Sequence, residues 1–600
     1  MKRNYFFLIT FVLLMCTSPA ICQNHIVLAV LNFQNNSGDT ELNYLEEAIP
    51  EMLITNLAVS RQIKIVERTR IRDILEEQKL SLSGAVDEET ATTIGKLLGA
   101  NHLLYGGIFS SNDKLRIDAR VSNTADGSIV IAEKMETAVD TDLIETLDQL
   151  SLKLIKGLTD EQFTVDYEED APVFDPIGNE PVAVTCAMDN THRLMKSDAP
   201  NYLLINLKAG KVETNRTRVP LNISLVLDKS GSMGSENKLE NARQAALFVV
   251  DNLSSSDYFS LVTYDTHVYN PIPAAPVKDK EILKAKIREI ECGSSTNLSG
   301  GMMEGYSQIE RNFQNGYVNR ELLLTDGLAN TGITNPHQLK NIATEKNRKG
   351  FTISTFGVGF SFNEDLLTTL AEFGGANYYY IDSAERIAEI FANELQGLLS
   401  VVVQNASINI ELADGIELID VFGYSFEQSG KTVSIKLNDI FSEEIKTVLL
   451  KLDLNASSKS EINIGKVRLQ YDDVVLENKR IVKTFEPKIK QTSDPKLVQN
   501  GKNAFVHENI TLFESARMMD EAITLIDNRN FDQAKKVMDQ NFNYLQSNVS
   551  LTSSRRVKQQ ILNAMKYSDE YKNAEQMDAA EMEMMQKSVK YKNYLQKKKK

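Results

Sequence analysis

Between Leu221 and Ile381 the chain repeats one pattern: a short, almost unbroken apolar run, then a longer stretch in which apolar residues return every three or four positions. The runs at 221–227, 258–264, 321–325, 352–358 and 377–381 read as strands. The stretches at 237–253, 281–290, 299–312, 336–348, 364–373 and 384–399 read as helices. Strands apolar on both faces belong to parallel sheets with helices on either side. A doubly wound α/β domain is therefore expected over 221–399, with ligands at the carboxyl ends of its strands.

The pattern differs on either side. From Ile26 to about Leu158, strands at Ile26–Phe33, Ile63–Glu67, Leu103–Phe109, Leu115–Val121 and Ile129–Glu133 are interleaved with helical spacing at Leu42, Leu45, Ile49 and Leu53 and at Ile71, Ile74 and Leu75. This predicts one α+β domain over 23–159. Residues 160–181 carry eight acidic side chains and three prolines without periodicity, an acidic linker. After Val401 strict alternation appears, as in Val433-Ser434-Ile435-Lys436-Leu437, with turn signals every ten to fifteen residues; this suggests a β-sandwich. The strands Val182–Met188 and Tyr202–Leu207 cannot bury a face alone, so segments 182–220 and 400–488 are expected to form one sandwich into which the α/β domain is inserted. Beyond 489, Leu512, Ala516, Met519, Ile523 and Ile526 mark one helix face and Phe531, Ala534, Val537 and Met538 another, an antiparallel hairpin opening a helical region to residue 600. The Met-rich stretch Met577–Met585 reads as packing. The fold class is thus multidomain α/β.

Six hundred residues at 42% hydrophobic and 25% charged describe a folded chain of several domains. A net charge of −16 argues against nucleic acid as a partner. The basic run Lys597 to Lys600 reads as a solvated tail. Residues 1–22 read as a signal peptide: Lys2 and Arg3 precede an apolar stretch too short to span a bilayer, and Ala20-Ile21-Cys22 offers small residues for cleavage. The mature chain is expected to begin near Gln23, the alternative being a lipid-bearing Cys22. Cys186 and Cys292 form no disulfide framework and are expected to be buried, unpaired thiols. The sequons at Asn222 and Asn297 fall on a core strand and on a ligand loop, where glycans could not be carried, which favours a bacterial envelope over a eukaryotic secretory route.

The first apolar run of the α/β region ends in Asp228-Lys229-Ser230-Gly231-Ser232. Such residues form turns, yet two further loops leave the same predicted sheet edge: Gly293-Ser294-Ser295-Thr296-Asn297 and Thr325-Asp326-Gly327. Together they offer two carboxylates and three hydroxyls, oxygen-only donors that suit a hard cation, Mg²⁺ by default or Mn²⁺ or Ca²⁺. Two carboxylates roughly neutralise the ion, and the sixth position stays open for a carboxylate from a protein partner.

"LDKSGSM", "GSSTNLSGG" and "LLLTDGLANTG" resemble the von Willebrand factor type A domain and its metal ion-dependent adhesion site. The resemblance implies a Rossmann-like fold and assigns Asp228, Ser230, Ser232, Thr296 and Asp326 to the metal. "LAVLNFQNNSGD", "IKIVERTRIRDILEEQ" and "TTIGKLLGANHLLYGGIF" resemble the curli production assembly/transport component family. That implies outer-membrane association and homo-oligomerisation through the N-terminal domain. A pore is not expected, because the candidate strands are short and set Arg116, Asp118 and Arg120 on one face. Gly430-Lys431-Thr432 lacks the earlier glycine of a phosphate loop and reads as a hairpin turn. With no catalytic constellation, the expectation is a non-enzymatic protein of the periplasm or outer membrane of a Gram-negative bacterium. Its work would be metal-dependent protein–protein interaction, adhesion or complex assembly. The alternative is a component of a curli-like secretion or fibre-assembly apparatus.

Overall fold

The computed structural model describes residues 26–66, 71, 88–111, 114–138, 143–159, 161, 180–211, 218–455, 460–474, 479–552, 554–572 and 577–598. The signal peptide with Cys16 and Cys22, most of the acidic linker, and Ile74 and Leu75 lie outside them. The chain divides into two compact units, 1–166 and 167–600.

In the first unit the elements are β1 (Ile26–Asn35), α1 (Leu45–Leu57), β2 (Ile63–Ile65), α2 (Glu88–Leu98), β3 (His102–Ser111), β4 (Lys114–Asn123), β5 (Ile129–Ala138) and α3 (Leu143–Leu158). The sheet order is β2-β1-β3-β4-β5, parallel about β1 and antiparallel from β3 onward. Period-two alternation places Leu115, Ile117, Ala119 and Val121 of β4 in the core. Lys114, Arg116 and Arg120 face outward, with the Arg116 guanidinium held by Asp118 at 2.6 Å.

The second unit opens with β6 (Val182–Met188), β7 (His192–Leu194) and β8 (Asn201–Ala209). The α/β portion follows as β9 (Leu221–Asp228), α4 (Lys238–Asn252), β10 (Tyr258–Tyr264), β11 (Val268–Pro276), α5 (Lys280–Arg288), α6 (Leu298–Arg311), β12 (Val318–Thr325), α7 (Pro336–Arg348), β13 (Thr352–Val358), α8 (Glu364–Phe373), β14 (Gly375–Ile381) and α9 (Ile387–Leu399). Strand order β11-β10-β9-β12-β13-β14 is that of a doubly wound sheet, parallel except at β11. All eight residues of β9 and of β12 are buried, as a sheet covered on both faces requires. The antiparallel edge strand β11 was not foreseen. Its Pro271, Pro273 and Pro276 mask strand character, and an edge is where a sheet tolerates proline. Helix starts follow local chemistry: the Asn335 and Asn363 side chains accept backbone N–H groups of Gln338 (3.1 Å) and Leu366 (3.0 Å) at the heads of α7 and α8.

Among the described residues the following strands come next: β15 (Val401–Leu412), β16 (Ile416–Phe422), β17 (Phe426–Ser429), β18 (Thr432–Phe441), β19 (Ile445–Leu454), β20 (Glu461–Asn463), β21 (Gly465–Asp473), β22 (Lys479–Phe485) and β23 (Lys488–Thr492). One sheet runs β17-β18-β15-β21-β22 and a second β16-β19-β8-β6, so strands from before and after the α/β portion share a sheet. The two sheets bury a common core that includes Leu203, Ile205, Ile408, Val433 and Leu450. Gly430 and Lys431 form the β17–β18 hairpin, with Gly430 at φ +59°.

Last come α10 (Pro495–Asn500), α11 (Ala504–Asp527), α12 (Phe531–Thr552), α13 (Arg555–Lys572) and α14 (Ala579–Lys598). Helices α11 and α12 form the hairpin read from the sequence. The end of α14 corrects the expectation of a solvated tail. Lys597 pairs with Asp520 at 3.0 Å, and Lys598 pairs with Glu372 at 3.7 Å and donates to the Gly423 carbonyl at 2.9 Å. A second correction concerns the thiols. Both are free, but Cys292 is exposed and Cys186 only half-buried, its pKa pushed up to about 12 by desolvation.

Candidate metal centre

Strand β9 ends at Asp228 and β12 at Thr325, side by side in the middle of the sheet, so the loops that follow them leave one edge. Asp228 is buried. It accepts the Ser230 backbone N–H at 2.8 Å and the Thr325 hydroxyl at 2.6 Å. Burial pushes its carboxyl pKa up to about 6; hydrogen bonds from Ser230 and Thr325 oppose the shift, and the Asp326 charge adds to it. Ser232 donates to Asp326 Oδ1 at 2.7 Å, and its hydroxyl lies 3.2 Å from that of Ser230. These contacts join four of the five residues read from the sequence.

Thr296 arrives on the third loop. Its N–H donates to Asn330 Oδ1 at 2.9 Å, and its carbonyl accepts the N–H groups of Asn330 and Thr331, so the loop after β12 clamps it. A Cβ placed on Gly327 would stand 3.5 Å from Thr296 Oγ1 and 3.8 Å from Ser232 Oγ, which brings the three loops to one spot. Backbone bonds from Gly231 N–H to Ser294 O (2.9 Å) and from Gly293 N–H to Lys229 O (2.6 Å) tie the first and second loops together. Gly293 has no room for a side chain, since a Cβ there would run into the Asp265 carboxylate.

Sequence reasoning missed four neighbours. Thr325 orients Asp228, and Asn330 holds Thr296. Asp265 pairs with Lys229 at 2.7 Å. Lys238, on α4, places its ammonium 3.2 Å from Asp326 Oδ2. The spacing of "LLLTDGLAN" carried a signal only for the first two. Asp228, Ser230, Thr296 and Asp326 are each at most 4% exposed, while Ser232 is exposed at the mouth of the site.

The donor set fits a hard divalent cation: every candidate ligand is an oxygen, two of them ionisable. Among the described residues no three histidine, cysteine or carboxylate side chains gather as a metal cluster, so the hydroxyls are what would complete this set. Asp228 and Asp326 would supply its charge, with Ser230, Ser232 and Thr296 beside them.

The family model "von Willebrand factor type A domain" matches residues 222–393, and "Curli production assembly/transport component CsgG" matches residues 13–117. Among curated proteins, the chain is 29% identical over 258 residues to uncharacterized protein YfbK of Escherichia coli K12, covering 42% of this chain and 44% of that one. It is 26% identical over 275 residues to uncharacterized protein sll0103 of Synechocystis, covering 44% and 64%. It is 29% identical over 205 residues to inter-alpha-trypsin inhibitor heavy chain H3 of Rattus norvegicus, covering 32% and 22%. The chain therefore spans less than two thirds of each of these relatives. Among solved structures, a von Willebrand factor type A protein from Catenulispora acidiphila aligns at a TM-score of 0.53 and 13% identity, over 63% of this chain and 89% of that one, a likeness of fold. The chain thus carries a von Willebrand factor type A domain at 222–393, preceded by an N-terminal region similar to the curli production assembly/transport component family over residues 13–117.

Proposed function

We propose that the protein works by binding. A divalent cation, Mg²⁺ by default, held by Asp228, Ser230, Ser232, Thr296 and Asp326, captures a carboxylate from an Asp or Glu of a protein partner in the bacterial envelope. The observation that carries this is the convergence of three loops on five oxygen-bearing side chains at the carboxyl edge of a doubly wound sheet, where such folds bind ligands. Exposed Leu328 and Phe360, on the loops after β12 and β13, offer apolar contact to such a partner. When bound, the metal supplies an electrophilic open position. Asp228 and Asp326 are buried, and the Ser230, Ser232 and Thr296 hydroxyls gather beside them, where they would hold the ion.

Within this reading the domains are the signal peptide (1–22), the curli-type domain (23–159), the acidic linker (160–181), the sandwich (182–220 and 400–488), the metal-binding domain (221–399) and the helical region (489–600). The N-terminal family match also favours a second reading, in which this region oligomerises within an outer-membrane secretion or fibre-assembly apparatus. Rings seen by native mass spectrometry would select it.

Calorimetry with Mg²⁺ should show one site per chain, weakened at least tenfold by Thr296→Ala while the melting temperature moves little. Asp228→Asn is the better charge variant than Asp228→Ala, because its amide oxygen still accepts the Ser230 N–H and its amide NH2 can donate to the Thr325 hydroxyl in place of the second carboxylate oxygen. Chelator should release an envelope-captured partner from a chain that stays folded. Equal Mg²⁺ affinity in wild type and both variants would sink the assignment.

A further inference from the structure

Helix α4 begins against the usual rules. Its first residue is Lys238, a cation at the positive end of the helix dipole. Two consecutive left-handed residues, Glu236 and Asn237, both at φ +53°, lead into it, and Asn237 makes no capping bond with its side chain. Left-handed backbone is costly for a residue such as glutamate, though asparagine tolerates it better. Local rules broken together in this way mark a functional constraint. What the arrangement achieves is visible at the other end of the side chain: the Lys238 ammonium, 13% exposed, sits 3.2 Å from the buried Asp326 carboxylate. Its only other ion-pair partner among the described residues is Glu236, at 3.5 Å and 70% exposed, where solvent screens the interaction. The neighbouring Lys229 is already matched by Asp265 and adds no net charge.

We infer that Lys238 sets the charge of the proposed metal site and thereby selects an anionic partner group. This rests on the reading of Asp228 and Asp326 as ligands of a divalent ion. Two carboxylates would merely neutralise such an ion. With the ammonium beside Asp326, the loaded site carries one net positive charge, which an incoming carboxylate cancels. Lys238 therefore weakens the metal's hold and strengthens the hold on the anion. It is a positioning and specificity residue rather than a ligand. A merely structural lysine would move both affinities the same way.

The test uses the full chain with Mn²⁺ as the metal probe and acetate as the anion probe. Calorimetry reads Mn²⁺ affinity, and water-proton relaxation of the Mn²⁺-loaded protein reads acetate binding. Lys238→Met should bind Mn²⁺ about tenfold tighter at low salt, as loss of one nearby positive charge implies, and acetate several-fold more weakly. Lys238→Arg, which keeps the charge, should stay near wild type in both, which guards against a folding defect in the methionine variant. Unchanged affinities in Lys238→Met, or a loss in both, would overturn the inference while leaving the metal site standing. No Mn²⁺ binding by wild type would remove the site and this inference with it.

Discussion

Arg320 and Glu321 are neighbours on β12, both buried, and they sit in opposite electrostatic situations. The Arg320 guanidinium donates to Thr352 Oγ1 (2.7 Å), Ser354 Oγ (3.0 Å) and Glu394 Oε1 (2.9 Å), and Glu394 also accepts from Tyr379 at 2.7 Å. Removing the arginine strands a buried carboxylate, so Arg320→Met should cost about 3–5 kcal/mol in chemical denaturation. Adding Glu394→Gln should recover part of that loss. Glu321, by contrast, has no hydrogen-bond partner for either carboxyl oxygen among the described residues, and burial drives its pKa well above the ordinary carboxylate value. It faces Gly305 of α6, where a Cβ would stand 2.7 Å from its carboxyl carbon. Glu321→Met keeps the volume and discards the polar burden. It should raise stability by about 2 kcal/mol at pH 8. A destabilised Glu321→Met would mean that the carboxyl has a role its surroundings do not reveal.

At the scale of elements, α14 is the clasp of the second unit. Tyr594 lies in the apolar core with Tyr378 and Leu367, and its hydroxyl accepts the Tyr378 N–H on edge strand β14 at 3.1 Å. Covering an edge strand in this way blocks strand addition by another chain. Tyr594→Phe should cost about 1–2 kcal/mol and Tyr594→Ala about 3–5 kcal/mol, read by urea titration. Lys587 of the same helix donates to the Phe362 carbonyl at 2.9 Å, beside Glu364 of α8. Burial raises the Glu364 pKa to about 7 from an ordinary 4.5, with Lys587, Lys590 and the Tyr378 hydroxyl opposing the rise and Asp365 adding to it. Between those values the native state holds a proton that the unfolded chain has released. Stability should therefore fall as pH rises from about 4.5 to 7 and level off above. Glu364→Gln should remove that component. An unchanged pH profile in Glu364→Gln would refute the assignment.

For the whole molecule, the division between residues 166 and 167 predicts two separable folding units. Fragments 23–159 and 180–600, expressed apart, should each unfold cooperatively within a few degrees of the corresponding transition of the intact chain. Mg²⁺ should raise only the transition of the second fragment, because a ligand stabilises the unit that binds it. Calorimetric scans of the three proteins check this, and a shift of the first fragment with Mg²⁺ would contradict it. No helix among the described residues is long and apolar enough to cross a membrane.

Periodicity alone determined the doubly wound sheet, the alternating sandwich strands and the α11–α12 hairpin, because burial on two faces, one face or a stripe leaves a distinct imprint on sequence. The candidate ligands were legible for a related reason: they lie at the last residue of a strand, in the turn that follows one, or just before a helix, where side chains are chosen for chemistry. What sequence could not supply depends on contacts between distant segments. The proline-bearing strand β11 exists because β10 offers it an edge. The Lys597–Lys598 end is docked because α8, α11 and the Gly423 carbonyl meet there. Lys238 reads as an ordinary surface helix residue until folding brings it to Asp326, 88 positions away. Spacing along the chain records which face a residue occupies, and only the packed structure records what that face meets.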